Sequence, residues 1–262
     1  MSVLPVSVRL ALWTTAAYAG QLSVETAVQR AHPDLDDVTG DLERLSLWRD
    51  LGERAMLVAL PRPGHLTGMP RGSAELVAAA TDAGECVFVP GIGGALVPSI
   101  EQFGPAGDQG TRVTWSAYDC DPVPSHVLEA LSLGEIAQVF GQVLAEHTSM
   151  IDALDAKPWA GSPLRSMAEE RSLADELSMG SWGLPEGLPA RATNIIRMSS
   201  LVGVATELGL SDEAQSQVLT VAVVEQRRTL LNGLDAVADT AMAAAANVAA
   251  LSLAGLRPGR GD

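Results

Sequence analysis

Apolar residues recur at helical spacing near the start of the chain. They lie three or four positions apart at Val6, Leu10, Trp13 and Ala17. That period is typical of one face of a helix, and Gly20 can end the helix because glycine readily adopts a left-handed backbone. Ser23 can cap a second short helix, which must stop before Pro33.

A third helix is predicted over residues 34–51. Asp34, Asp36 and Asp37 would lie at its start, where carboxylates suit the positive end of the helix dipole. Its apolar stripe would be Leu35, Val38, Leu42 and Leu45, and Gly52 would end it.

Three short helices before strands also suggest a winged-helix module. The charge argues against DNA binding by such a module, because residues 34–53 hold seven acidic side chains and two arginines. The shape stays open as an alternative, and modules of this kind also contact proteins.

The middle of the chain predicts a sheet. Strands are predicted over residues 55–60, 86–89, 95–103 and 111–118, the last two joined as a hairpin by residues 104–110. Ser73 should cap a helix that runs to about Ala83 and stops at Gly84. Pro98 indicates an edge position or a bulge in its strand, because proline has no N–H for the ladder.

The second half of the chain predicts helices. A 3.6-residue apolar period runs from Ile136 to Leu154, and further helices are predicted over residues 163–177 and on both sides of Gly209, with Ser211 as a cap. Asn232-Gly233 should kink or break the last, alanine-rich stretch.

Together these elements predict an α+β protein with N-terminal helices, a small mostly antiparallel sheet and a C-terminal helical bundle. The boundary is placed at the proline-bearing stretch after Asp121. Residues 1–121 would form the helical region with the sheet, 122–256 a bundle sharing its core, and 257–262 a frayed tail.

Composition excludes several classes of protein. The 262 residues are 47% hydrophobic, far too apolar for a disordered chain. Seventeen Lys and Arg face 32 Asp and Glu, a net charge of -15, which argues against binding nucleic acid or an anionic membrane surface. Lys157 is the single lysine, a bias typical of high-GC bacterial genomes.

Two stretches resemble export or membrane segments, the first because it is apolar and ends in the small-x-small pattern Ala17-Tyr18-Ala19, the second by its length. Leu10–Ala19 is short and contains threonines, so a first buried helix is preferred to a signal peptide. Residues 236–256 include Asp239 and Asn247, so a packed helix is preferred there. These interpretations predict a cytoplasmic protein.

The sequence Gly91-Ile92-Gly93-Gly94 follows a predicted strand, as phosphate-binding loops do. A phosphate loop must open a helix, however, and the next residues read as strand. A tight turn between strands is therefore predicted.

Asp119 and Asp121 flank Cys120 at the end of the most regular strand, with His126 close behind. Two carboxylates and an imidazole could hold a cation or share acid–base work. Together with Glu101 they are the candidate catalytic residues, although ordinary turn chemistry around Pro122 also explains the motif.

The remaining histidines and cysteines show no spacing typical of a metal-binding site. No histidine pair has the spacing of a helical zinc site, and the two cysteines, Cys86 and Cys120, lack a Cys-x-x-Cys pattern. Both thiols are predicted to be buried and reduced, and His147 to be a hydrogen-bonded core group. The sequence therefore predicts no metal and no cofactor.

The loop over residues 60–71 brings Arg62, His65 and Arg71 to the surface of an acidic chain, which suggests contact with an anionic ligand or an acidic partner.

The chain resembles no family of known activity. The leading expectation is a non-catalytic interaction or regulatory protein with a protein partner. The alternative is a small-molecule-binding protein or enzyme whose site lies between the sheet and the bundle. A stripe of small residues at Ala238, Ala241, Ala245 and Ala249 could pack within the chain or form a homo-oligomer.

Overall fold

The structure is a computed structural model that describes residues 4–105, 107–153, 183–210 and 221–257. It confirms an α+β architecture in which eight helices accompany one five-stranded sheet within these ranges. The predictions for residues 163–177, Ser211 and 258–262 lie outside the described residues.

The first two predicted helices are present. Helix α1 (Val6–Tyr18) is buried over nearly its whole length, and Gly20 follows it with φ +80°. Helix α2 (Val24–Ala31) begins at Ser23, whose hydroxyl accepts a hydrogen bond from the Thr26 amide at 3.2 Å.

The predicted third helix is wrong over its first half. Residues Asp37–Gly40 form strand β1, and helix α3 (Glu43–Asp50) begins only afterwards. Gly40 explains the outcome: its φ is +102°, and a Cβ there would lie 2.1 Å from the Trp115 carbonyl oxygen. Glycine thus lets β1 approach the sheet so closely that pairing replaces helix formation. The element order also departs from the winged-helix alternative.

The sheet is mixed. Its strands are β1, β2 (Leu57–Ala59), β3 (Cys86–Phe88), β4 (Ala95–Phe103) and β5 (Gly110–Tyr118). Their order is β1-β5-β4-β3-β2, with β1 parallel to β5 and the other pairs antiparallel, so the mostly antiparallel sheet is confirmed. Helix α4 (Ala74–Ala83) connects β2 to β3 and has the predicted Ser73 cap and a left-handed Gly84.

The outer edge of β2 is closed by side chains from two helices. The Thr15 hydroxyl of α1 accepts from the Met56 amide at 2.9 Å. Asn247 accepts from the Val58 amide at 2.8 Å and donates to the Val58 carbonyl at 2.9 Å. The Asn247 amide group therefore substitutes for a neighbouring strand at the centre of β2.

The described part of the C-terminal half is mostly helical, as predicted. Its helices are α5 (Ser125–Glu129), α6 (Leu133–Ala153), α7 (Ala190–Leu210) and α8 (Val221–Leu253). Helix α8 packs against α6 and α7 with its first half and against α1 and β2 with its second half. One core is therefore shared between the sheet and the bundle.

Helix α8 differs from the prediction in one respect. It continues through Asn232 and Gly233, so the expected break is absent. Its small-residue stripe, from Ala238 to Ala249, is buried within the chain, which leaves that stripe unavailable to a second copy. Among the described helices, α8 alone is long and apolar enough to cross a membrane by composition, and 67% of its apolar window is buried inside the protein.

Candidate functional site

Several sequence candidates meet at one end of the sheet, where β3 turns into β4 and β5 ends. Ala95 pairs with Tyr118, so Asp119 and Asp121 lie beside the glycine-rich turn. The Asp121 amide donates to the Arg71 carbonyl at 2.7 Å, which brings the loop before α4 to the same place. We call this region the glycine-turn end of the sheet and define it by residues 91–94 and 119–121.

The glycine-rich segment is a tight turn between strands, as predicted, and three of its four amides are already hydrogen-bonded. The Glu53 carboxylate accepts from the Ile92 amide at 2.5 Å and also from the Gly91 amide. The Cys120 sulfur accepts from the Gly94 amide at 3.1 Å. Because a carboxylate of the chain itself fills the position that a phosphate would need, the turn cannot act as a phosphate cradle.

Burial raises the pKa of Glu53 above its ordinary value, while the two amide hydrogen bonds act in the opposite direction. Glycine is required in the turn, because a Cβ on Gly93 would lie 2.1 Å from the Cys120 carbonyl oxygen and one on Gly94 would lie 2.8 Å from Trp48. This end of the sheet is therefore tightly packed and rigid.

The four candidate catalytic residues do not converge. Asp119, Asp121 and His126 are exposed. Glu101 lies six positions along β4 from Ala95, about 20 Å away at the strand rise, and faces Arg112 instead. No group of three or more metal-ligating side chains occurs within the part of the chain that the structure describes. Glu101 therefore lies apart from the other three candidates, and a catalytic role for any of the four stays a prediction.

The surroundings of the two cysteine thiols keep them in the protonated, weakly nucleophilic form. Both are free, and burial raises the pKa of Cys86 to about 12. The pKa of Cys120 is also raised, mainly by burial. A thiolate is the nucleophilic form of cysteine, so neither group is activated.

Two histidines are held by hydrogen bonds. His32 is buried: its Nδ1 bonds the Val28 carbonyl at 2.7 Å, and its Nε2 accepts from the Trp115 indole at 3.2 Å. Burial lowers the pKa of His32 to about 4, so the ring is neutral. His147 bonds the Val143 carbonyl at 3.1 Å as predicted, but it is only half-buried, so it is not a core group.

Sequence patterns did not reveal the polar groups around α1. Glu85 accepts a hydrogen bond from the Ser7 amide at 2.8 Å and so caps this helix from a neighbouring element. Arg9 is buried and bonds Asp34 at 2.5 Å. Helical periodicity could only have flagged Arg9 as a charged residue within an apolar stretch.

Arg62 is bound within the chain. Its guanidinium contacts Asp235 of α8 at 2.9 Å and also bonds Asp239. Burial raises the pKa of Asp239 to about 6 even though the Arg62 charge acts to lower it. The contact joins the loop after β2 to the bundle, so the Arg62 charge is balanced rather than free for an anion.

The other two candidates in that loop, His65 and Arg71, lie away from the aspartates that bind Arg62. His65 is exposed and pairs with Arg62 through the backbone, across the Pro63-Gly64 turn. Arg71 is exposed at the glycine-turn end, and its side chain has no ion-pair partner among the described residues.

An open cleft of about 1080 Å³ lies between this loop, α4 and α8. Its apolar wall is formed by Leu60, Pro61, Pro63 and Val77. Its polar wall is formed by Arg62, Asp82, Glu85 and Asp239. Burial also raises the pKa of Glu85. The cleft thus carries more carboxylates than cations.

Exposed aliphatic side chains lie near the glycine-turn end. Leu47 and Leu51, one helical turn apart at the end of α3, are 45% and 59% exposed, and Ile92 is 41% exposed. Glu53 joins the two elements, because it follows Leu51 closely and binds the Ile92 amide. We call Leu47, Leu51 and Ile92 the α3 surface.

These observations describe an α+β protein whose described residues include no group of three or more potential metal ligands. The chain matches two family models, "Rv1486c-like protein, N-terminal domain" over residues 7–129 and "Rv1486c-like protein, C-terminal domain" over residues 134–243. Because the two matches together span most of the chain, it belongs to the Rv1486c-like family. Neither a curated protein nor a solved structure matches it significantly. The predicted domain boundary after residue 121 stays a prediction.

Proposed function

We propose that this protein is a cytoplasmic, non-catalytic interaction or regulatory protein that binds a protein partner through the α3 surface. The observation that carries the proposal is the exposure of three aliphatic side chains on a rigid backbone. Their neighbouring polar groups are already bonded within the chain. Apolar side chains that remain exposed on such a frame are typical of docking surfaces.

The backbone beneath the α3 surface is held from two sides. Trp48 packs against Gly94, and Glu53 binds the amides of Gly91 and Ile92. A surface that is ordered before binding loses little conformational entropy in the complex, so a small apolar contact can contribute usefully to affinity.

Charge indicates the chemistry of the partner. Asp119 and Asp121 lie exposed next to the turn, and the whole chain carries a net charge of -15. Association is therefore favoured for a partner that presents apolar side chains bordered by Lys or Arg. The same charge opposes binding to nucleic acid.

Replacing both Leu47 and Leu51 by aspartate is expected to weaken partner binding at least tenfold, about 1.4 kcal/mol, because the substitutions place charges in the apolar contact. Quantitative mass spectrometry of co-purified proteins identifies the partner, and titration of the two purified proteins gives the dissociation constant.

Val139→Asp is the matched control, because Val139 is a 57% exposed aliphatic residue on α6. It should leave the dissociation constant unchanged. Equal loss of binding in the control and in the double variant would contradict a role for the α3 surface.

A second candidate function has a specific observation in its favour, namely the cleft between the loop after β2, α4 and α8. Its carboxylates and apolar wall suit a small molecule with a cationic nitrogen and a compact apolar body. In this alternative Glu85 and Asp239 would bind the cation, while Arg62 would compete for Asp239.

Nuclear magnetic resonance titration with benzylammonium, and with benzoate as the anionic control, tests the alternative. Shifts confined to Val77 and Leu60 that saturate with benzylammonium alone would support it. Arg62→Gln should then tighten binding several-fold by releasing two carboxylates, and Asp239→Asn should weaken it. Equal weak shifts with both probes would refute it.

A further inference from the structure

Strand β4 extends well beyond its neighbour β3. Only Ala95 and Leu96 pair with β3, whereas all nine residues of β4 pair with β5. From Val97 to Phe103 one edge of β4 therefore has no neighbouring strand among the described residues.

The direction of the backbone groups at this edge follows from the hydrogen bonds around it. The Val89 amide donates to the Gly94 carbonyl, so Gly94 faces β3. Because successive residues of a strand point alternately to its two neighbours, Pro98, Ile100 and Gln102 also face that side. Pro98 has no N–H to leave unpaired, which explains why proline is tolerated there.

Side chains of the protein close the outer edge of β2 and the parts of the β5 edge that β1 leaves unpaired. Thr15 and Asn247 bind the outward groups of β2. On the outer edge of β5, beyond the ends of β1, the Asp36 carboxylate accepts from the Thr111 amide and the Asp41 carboxylate from the Ala117 amide, both at 2.8 Å. Within the described ranges, Ile100 and Gln102 receive no such partner.

The surroundings of this edge favour a basic segment. A groove of about 390 Å³ runs between α4 and β4, with Asp82 and Glu85 in its lining beside Ile100. Glu101 is exposed on the same strand, and Ile100 is 52% exposed. The nearby Arg112 is already paired with Asp37 and Glu101.

We propose that the open edge of β4 binds an extended, lysine- or arginine-bearing segment of a partner protein by β-strand addition. The added strand would accept hydrogen bonds from the amides of Ile100 and Gln102 and donate to the carbonyls of Pro98, Ile100 and Gln102. The inference rests on the proposed function as an interaction protein but uses a surface separate from Leu47, Leu51 and Ile92.

The test uses the full chain and a fluorescent peptide of sequence Lys-Val-Lys-Val-Lys-Val-Lys with blocked ends. Ile100→Pro is expected to weaken its binding at least tenfold, because proline removes an outward N–H. The sheet should stay intact, since that N–H pairs with nothing inside the chain, and an unchanged melting temperature verifies this point. Gln102→Pro provides a second variant if Ile100→Pro melts earlier.

Two further readouts distinguish strand addition from simple charge attraction. Hydrogen exchange at the Ile100 and Gln102 amides should slow at least tenfold with saturating peptide. A peptide N-methylated at every residue has the same charge but no amide N–H on either edge, so it cannot complete the ladder and should bind at least tenfold more weakly.

The inference is overturned by absence of binding at millimolar peptide, by equal binding of the N-methylated peptide, or by self-association of the protein through this edge. Leu47→Asp with Leu51→Asp should leave peptide binding unchanged. The proposal for the α3 surface and the proposal for the β4 edge can therefore be refuted independently.

Discussion

Asn247→Ala is expected to lower the free energy of unfolding by about 2–6 kcal/mol. Asn247 is 8% exposed and bonds both backbone groups of Val58, which sits in the fully buried strand β2. Alanine leaves one N–H and one C=O of Val58 buried without a partner, and each costs about 1–3 kcal/mol.

Urea denaturation followed by circular dichroism measures this loss. Asn232→Ala is the matched control, because Asn232 is an exposed asparagine on the same helix, and its effect should stay within about 0.5 kcal/mol. Asn247→Asp keeps the acceptor but turns a carboxylate towards the Val58 carbonyl, so it should be at least as damaging as alanine. A loss below 1 kcal/mol for Asn247→Ala would contradict closure of the β2 edge by α8.

Acidification is expected to destabilise the wild type through His32. Its pKa in the folded protein is lowered to about 4 by burial, against about 6.5 in an unfolded chain. The unfolded state therefore takes up the proton first, and stability that is fully present above pH 6.5 is lost as the pH falls towards 4. The loss attributable to His32 is about 3 kcal/mol.

Other buried groups titrate in the same pH range. The contribution of His32 to stability is therefore measured as the difference between the wild type and a His32 variant. Asp239 has a raised pKa and opposes the trend below about pH 6. His32→Gln should be less stable than the wild type at pH 7.5, and that gap should shrink by about 3 kcal/mol at pH 4. His126→Gln, an exposed control, should retain the wild-type profile. A constant gap between wild type and His32→Gln would contradict a neutral, buried His32.

Local signals predicted much of the fold. Ser23 and Ser73 each begin a helix as N-caps, and Gly84 ends one in the left-handed conformation. The hairpin of β4 and β5 was predicted because the second strand alternates regularly and a glycine-bearing loop joins it to the first. These features depend on residues close in sequence, which explains why the sequence alone reveals them.

The wrong predictions concern segments whose structure is determined by contacts between residues that are distant in sequence. Residues Asp37–Gly40 have helical spacing, but pairing with β5 and the close approach of Gly40 to Trp115 make them a strand. Gly233 was expected to break α8, yet packing against neighbouring helices maintains the helix there.

The sequence likewise predicted only part of the candidate site. The neighbourhood of Asp119, Asp121 and Arg71 brings together residues that the sequence had flagged, whereas Glu101 lies at the other end of the hairpin. The carboxylate of Glu53, which fills the glycine turn, was missed because nothing in the local sequence links residues 53 and 92. Similarly, Asn247 was noted only as a polar residue in an apolar helix.

Native mass spectrometry of the protein isolated from its own cells tests most directly whether it acts by binding another protein. The predicted result is a complex of this chain with a protein partner, which the Leu47→Asp, Leu51→Asp double variant fails to form and the Val139→Asp variant still forms. A chain that carries one small molecule or metal ion at full occupancy, and no protein, would contradict the account.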